Sequence, residues 1–297
     1  MTEASHKHVV ECALTIPDRY RAFTRSTDDA WTAHRIPESV LLDLLDLGLP
    51  HQVSGSGPRF DDRDLVNLSL QLRLPSPQLR MLRFLGDCLS DNIGQCVVRT
   101  VTVAARCPDL DSDHVCEVHF APSLMRYRTD RPATGLTSGR ISVEVELPCG
   151  PPEFVTEASG LLPLIEVARE LEFYHVPRGF GLDGEFSRTT GLADCVLATA
   201  HLVDSARALG IDARPVAGMF VARPFSLPHA WISVPFESGR RMIDPFFIST
   251  LARWGVLDAD VWPACRIPKG VLFECIGYRE PLATHNGSMI TPSLVTR

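Results

Sequence analysis

The chain has 297 residues, 45% of them hydrophobic and 22% charged, with a formal net charge of −7. That length buries one large core or two smaller ones, and the composition is ordinary for a globular protein. The acidic balance argues against nucleic acid or an anionic membrane as the partner, and no apolar run reaches the length of a membrane span.

The opening MTEASHKHVVECALTIPDRY lacks the basic start and long apolar stretch of a secretory signal, so a cytoplasmic location is expected. Nine cysteines, an odd number with no CxxC pair, favour free thiols in a reducing compartment over a disulfide framework or a zinc site. No metal and no cofactor is therefore expected, and the oligomeric state is left open.

Residues 1–105 read as mostly helical. Ile36-Pro37-Glu38-Ser39 leads into VLLDLLDLGL, a helix ended near Gly48. After the turn-rich QVSGSGP, Asp61 or Asp62 caps DRDLVNLSLQLRL, and residues 75–88 give another amphipathic pattern. Residues 37–68 form a helix, a short loop with Arg59 and Phe60, and a second helix. The phrase resembles winged-helix DNA-binding domains, but it has no basic recognition helix. A helical cap or docking region is the better reading.

Residues 115–127 and 140–147 read as strands. In the second, Ile141, Val143, Val145 and Leu147 alternate with Ser142, Glu144 and Glu146, the mark of a half-exposed antiparallel strand. Residues 148–152 break the pattern, and residues 161–174 are helical up to Pro177. Gly179, Gly181 and Gly184 have no strand-to-helix context, so they predict a mobile loop over a site and not a nucleotide fingerprint.

The informative stretch is residues 189–247. Cys195 opens a helix that Gly210 stops. At about 100° per residue, Thr199, Leu202, Ala206 and Leu209 share its face, while His201, Asp204 and Arg207 lie opposite. A cysteine in a first helical turn faces unsatisfied N–H groups and a dipole that favour a thiolate. Residues 213–222 read as a strand. In the next, Ala230, Ile232, Val234 and Phe236 take one face and His229, Trp231 and Ser233 the other. Glu237-Ser238-Gly239 is a hairpin turn, and residues 241–244 return, bringing Asp244 towards His229. A short helix near 249–254 and a strand-like 270–278 follow.

Cys195, His229 and Asp244 stand in the order nucleophile, base, orienter. Taken singly, each has a plainer reading: a buried structural thiol, a strand-end histidine and a turn-former before Pro245. Trp231 is a pocket wall or ordinary packing. His201 lies across the helix from Cys195, and Tyr174 and His175 are placed only near the site.

Cys195, the run Ala-Leu-Gly-Ile-Asp-Ala-Arg at 208–214, His229-Ala230-Trp231 and Asp244-Pro245 together resemble the transglutaminase-like branch of the papain-like cysteine enzymes. The resemblance covers roughly the last 130 residues, the size of one compact domain. It implies an α+β fold with a helix packed on an antiparallel sheet, carried by a catalytic domain over 106–297. Residues 1–105 would be an N-terminal helical cap or docking region. It also implies Cys195 as nucleophile, His229 as general base and Asp244 as orienter of the imidazole. The family usually carries glycine two residues before the cysteine, where this chain has Ala193; Gly191 lies further back and Asp194 precedes the thiol.

Within that branch, the chain as a whole is similar to the Dieckmann cyclases of tetramate- and pyridone-forming polyketide–peptide (antibiotic) biosynthesis. That likeness implies a carrier-protein-bound acyl thioester as substrate and release by carbon–carbon ring closure. The alternatives are a cysteine peptidase, amidase or amide-forming acyltransferase of the same superfamily, and a non-catalytic regulatory or DNA-binding module.

Overall fold

The computed structural model describes residues 3–55, 57–91, 97–109, 114–129, 133–134, 138–177, 185–236 and 239–297. Its first elements are α1 (Glu3–Leu14), β1 (Phe23–Arg25), α2 (Thr27–His34), α3 (Glu38–Asp46), β2 (Gln52–Ser54), β3 (Gly57–Asp61), α4 (Asp62–Gln71) and α5 (Pro77–Asp91). Next come β4 (Val97–Arg106), β5 (Val118–Phe120), β6 (Ala133–Thr134) and β7 (Ser138–Leu147). Then follow α6 (Leu162–Glu170), β8 (Glu172–Phe173), α7 (Glu185–Thr190), β9 (Leu192–Ala193), α8 (Cys195–Ala208), β10 (Arg214–Phe220), β11 (Leu227–Phe236) and β12 (Gly239–Ile243). The chain closes with α9 (Pro245–Arg253), β13 (Leu272–Ile276), β14 (Ala283–His285), β15 (Ser288–Ile290) and β16 (Ser293–Thr296). The molecule is mixed α+β with small, mostly antiparallel sheets.

The N-terminal part carries a small sheet of order β1-β3-β2 that the helical reading did not contain. The stretch read as turn-rich is a hairpin whose flanks pair, Gln52 with Arg59 and Ser54 with Gly57, and Gly57 takes a φ of +106° that suits only glycine. Asp61 is the cap of α4, its carboxylate accepting from the Arg63 N–H. At α2, Ser26 and Asp29 cap each other reciprocally, an arrangement typically worth about 1 kcal/mol. Val10, Leu41, Leu44, Phe60, Leu65 and Leu68 are buried together between these elements.

Helix α4 ties this part to the segment that leads to Cys195. Arg21 and Asp64 form a buried pair at 2.6 Å, and the Tyr174 hydroxyl donates to the other Asp64 oxygen at 3.2 Å. The Asn67 side chain exchanges hydrogen bonds with the His175 backbone in both directions. Residues 171–174, read as the end of a helix, instead leave α6 at Glu170 and pair in parallel with β9, with Glu172 opposite Leu192 and Phe173 opposite Ala193.

Strand β4 begins at Val97, inside the stretch read as helical, because its alternating valines favour a pleated surface. It pairs with β7 along its whole length, Val101 with Val143 and Val103 with Ile141, and all four side chains are buried. Ile141, Val143, Val145 and Leu147 face inward while Glu144 and Glu146 face out, as the alternation predicts. The full sheet runs β16-β4-β7-β6. Residues 115–127 yield only the three-residue β5 and a 3₁₀ turn, and β5 joins β14 and β15 in a second small sheet.

The region around Cys195 is a four-stranded antiparallel sheet, β12-β11-β10-β13, with α8 packed on it. Leu197, Ala198, Leu202 and Ala206 of α8 join one apolar core with Val216, Ile232, Val234, Phe246 and Leu251. Burying each of the larger side chains contributes about 1.5–3 kcal/mol. Thr199 is buried as expected, but Leu209 is 48% exposed, because the helix ends at Ala208 and Leu209 is already its cap. Helix α5 belongs to this core through Leu79, Leu82, Leu85 and Leu89. It lies so close to the turn after α9 that a Cβ on Gly86 would sit 2.8 Å from Val256 Cγ1.

Candidate functional site

Three local devices set the position of Cys195. Gly191 takes a φ of +73°, a left-handed conformation, and turns the chain from α7 into β9. Strand β9 then runs two residues beside β8 and delivers Asp194 to the helix cap. The Asp194 carboxylate accepts from the Val196 and Leu197 N–H groups, both at 3.0 Å, so the acid next to the thiol is turned into the helix end. Burial raises the pKa of Asp194, and the same two N–H groups oppose that rise. Cys195 is thus the first residue of α8, half-buried, with its thiol free.

His229 and Asp244 come from the two sides of the β11–β12 hairpin. The pairing of Ile232 with Ile243 and of Phe236 with Gly239 fixes the register, and Asp244 follows directly as the cap of α9. His229 Nε2 donates to Asp244 Oδ2 at 2.5 Å, while Oδ1 accepts the Phe247 N–H at 3.1 Å. With Nε2 committed to Asp244, the ring nitrogen left for the thiol is Nδ1, and the Cys195 side chain lies within hydrogen-bonding reach of the imidazole. Burial works against a charged ring. The Asp244 carboxylate, by charge and hydrogen bond, and the Cys195 side chain outweigh it and push His229 up to about 10.

The imidazole sits in an aromatic box. Phe247, Trp231 and Phe220 have ring centroids 4.6, 5.9 and 6.0 Å from it. Across the sheet, Gly218 is the partner of His229, and a Cβ there would lie 2.0 Å from the Phe273 carbonyl oxygen. Glycine is what lets β13 approach β10 behind the histidine.

Trp231 does not wall an open pocket: it is 1% exposed, backs the imidazole in near-parallel stacking, and its indole N–H is buried without a partner. Both faces of β11 are buried at this point, which a two-residue alternation does not reveal. His201 is half-buried on α8, away from the buried stripe, and Tyr174 is spent on Asp64. The glycine loop at 179–184 lies outside the described residues. A cavity of about 360 Å³ lined by Glu153, Arg240, Arg241, Lys269 and neighbours does not include Cys195, His229 or Asp244.

One neighbour of the thiol escaped the sequence reading. The Tyr278 hydroxyl donates to the Val196 carbonyl at 2.9 Å, placing the ring over the first turn of α8. Burial pushes Tyr278 up, the adjacent Arg279 opposes this, and Cys195 and Asp194 add to the rise. In the sequence Tyr278 merely ends a strand-like run, and no local pattern marks it.

A thiol, an imidazole and a carboxylate in series is the arrangement that activates a cysteine for attack on an acyl carbon. A second meeting of cysteine and histidine, also missed, joins Cys107, His114, Cys116 and His285, whose ligand atoms all lie within 4.8 Å of one another. Comparison of the chain with family models, with curated proteins and with solved structures finds no match in any of the three.

Proposed function

We propose that this protein is a thiol-dependent acyltransferase in which Cys195 is the nucleophile, His229 the general base and Asp244 the orienter. The observation that carries the reading is the buried His229–Asp244 hydrogen bond beside a cysteine at a helix start. A helix packed on an antiparallel sheet, with the cysteine on the helix and the histidine on the sheet, agrees with the transglutaminase-like resemblance. The Asp194 cap takes the Val196 and Leu197 N–H groups, so the Cys195 N–H is a fitting donor for the oxyanion of a tetrahedral intermediate.

Within that class we favour the ring-closing reaction of a Dieckmann cyclase. With its proton already held by His229, Cys195 attacks the carrier-bound thioester as a thiolate, and the carrier thiol leaves with the proton that His229 gives up. His229 then removes a proton from the carbon flanked by two carbonyls. The carbanion attacks the acyl-enzyme carbonyl, the ring closes to a tetramic acid or pyridone, and the Cys195 sulfur is released and reprotonated. Such a proton needs only a modest base, and water must be kept from the acyl-enzyme.

A synthetic N-(β-ketoacyl)aminoacyl thioester tests this, with products followed by mass spectrometry. Ring-closed product with one equivalent of released thiol supports the proposal. Linear acid alone overturns ring closure but keeps acyl transfer, and no thiol release overturns both. Turnover of peptides or amines instead points to the peptidase or amide-forming branch.

The regulatory reading fares less well on the N-terminal part. Residues 37–68, whose sequence resembles a winged helix, hold α3, the β2–β3 hairpin and the start of α4, but α3 carries Glu38, Asp43 and Asp46 and no basic residue. An acidic helix is repelled by phosphates. A role as cap or docking surface suits this part better.

A further inference from the structure

We propose that Cys107, His114, Cys116 and His285 bind one zinc ion as a closed structural site. The four residues come from three separate pieces of chain. Cys107 directly follows β4, His114 and Cys116 precede β5, and His285 ends β14. Cys107 and His285 are buried.

The separations are those of ligands around a common centre. His114 Nε2 lies 3.5 Å from Cys107 Sγ, 3.3 Å from Cys116 Sγ and 3.2 Å from His285 Nε2, and His285 Nε2 lies 3.3 Å from Cys116 Sγ. Zinc–sulfur and zinc–nitrogen lengths of about 2.3 and 2.0–2.1 Å at tetrahedral angles require about 3.6 Å between sulfur and nitrogen and about 3.3 Å between the two nitrogens.

Hydrogen bonding does not account for this convergence. An imidazole Nε2 has either one proton or one lone pair, so it satisfies one partner, yet His114 Nε2 faces three. Two imidazole nitrogens and two thiols pointing at one place make sense around a cation. Two thiolates and two neutral imidazoles form the donor set of structural zinc, and binding releases the two thiol protons to leave a neutral centre. Four protein ligands leave no open position, so the site holds structure and performs no chemistry.

What it holds is a sheet too small to stand alone. Strands β5, β14 and β15 have three residues each. The Asn286 side chain already ties this turn to the incoming segment, accepting from the Glu117 N–H and donating to the Val115 carbonyl, both at 2.9 Å. Zinc would fasten the same turn to the end of β4.

The experiment is metal analysis of the full chain purified without chelator, joined to X-ray absorption at the zinc edge. The expected result is about one zinc per chain with two sulfur and two nitrogen ligands at about 2.3 and 2.0–2.1 Å. Cys116→Ser and His285→Ala are expected to lower the zinc content at least several-fold, while Cys149→Ser keeps it. Replacement by cobalt(II) should give the visible spectrum of a tetrahedral thiolate site. Zinc far below one per chain, a shell without sulfur, or a Cys107–Cys116 disulfide in the native protein overturns the proposal. The absorption measurement uses wild-type protein, so a variant that fails to fold does not blunt it.

Discussion

Cysteine meets histidine twice in this molecule, and the two meetings differ in what else is present. At Cys195 the His229 imidazole lies within reach of the thiol, its far nitrogen is held by Asp244, and the cysteine is half-buried. At Cys107 and Cys116 two imidazoles and two sulfurs converge from three pieces of chain, and among the described residues no carboxylate joins the set. A thiol with one anchored base has a lone pair to spend on a substrate. A thiol among four converging donors spends it on an ion. The difference between a reactive and a structural cysteine is therefore one of neighbours, and it can be broken by mutation at either place.

The largest effect is expected at the triad. Cys195→Ala or His229→Ala should lower turnover by about 10⁴-fold or more, since members of a nucleophile–base pair fail together. Thermal melting of Cys195→Ala should move little, because the side chain is half-buried at a helix start. Cys116→Ser should do the reverse. Its melting temperature should drop by roughly 10 °C or more, given about 2–4 °C per kcal/mol for a domain of this size. Stripping zinc with a chelator should reproduce the drop. Equal loss of turnover in Cys195→Ala and Cys116→Ser, with no change in melting for either, would erase the contrast.

Asp244 gives a smaller and graded effect. Asp244→Ala removes both charge and orientation and should cost about 10²–10⁴ in turnover, with Asp244→Asn between it and wild type. The pH dependence follows from the same bond. His229 is pushed up to about 10 in the folded protein, against about 6.5 unfolded. The stability it supplies is thus fully present below about pH 6.5 and is lost as pH rises through about 10. The melting difference between wild type and His229→Gln should be largest near about pH 6 and smallest above about pH 10. A difference that grows with pH would mean the ring is neutral beside Asp244.

The two clusters also differ in how far they could be read from the chain. The pieces of the proposed triad are legible because they are locally determined: a capped helix start at Asp194-Cys195, and a hairpin that brings Asp244 back to His229 within 15 residues. The Cys₂His₂ set is not, since His285 lies 171 residues from His114 and meets it only after β14 pairs with β5. No CxxC spacing announces such a site in the sequence. Tyr278 was invisible for the same reason: its contact with Val196 spans 82 residues. Leu209 and Trp231 show a different limit. Periodicity assigns a face, but whether that face is covered depends on where the helix stops and on what packs against the other side of the sheet.

Trp231 supplies the smallest expected effect and a fine test of the triad's surroundings. Its indole N–H is buried and unpaired, an arrangement that costs about 1–3 kcal/mol wherever a donor loses water without replacement. Phenylalanine removes that donor and keeps a ring against His229, at the expense of some volume. The two terms oppose each other, so Trp231→Phe should change stability by less than about 1.5 kcal/mol. Trp231→Ala should lose about 3–5 kcal/mol through the cavity it leaves. If the tryptophan serves only as backing for the imidazole, Trp231→Phe should keep KM and the pH profile of turnover within about twofold of wild type. A rise in KM with unchanged turnover would instead put the indole in contact with substrate, in a conformation where β11 is less tightly covered than it is here.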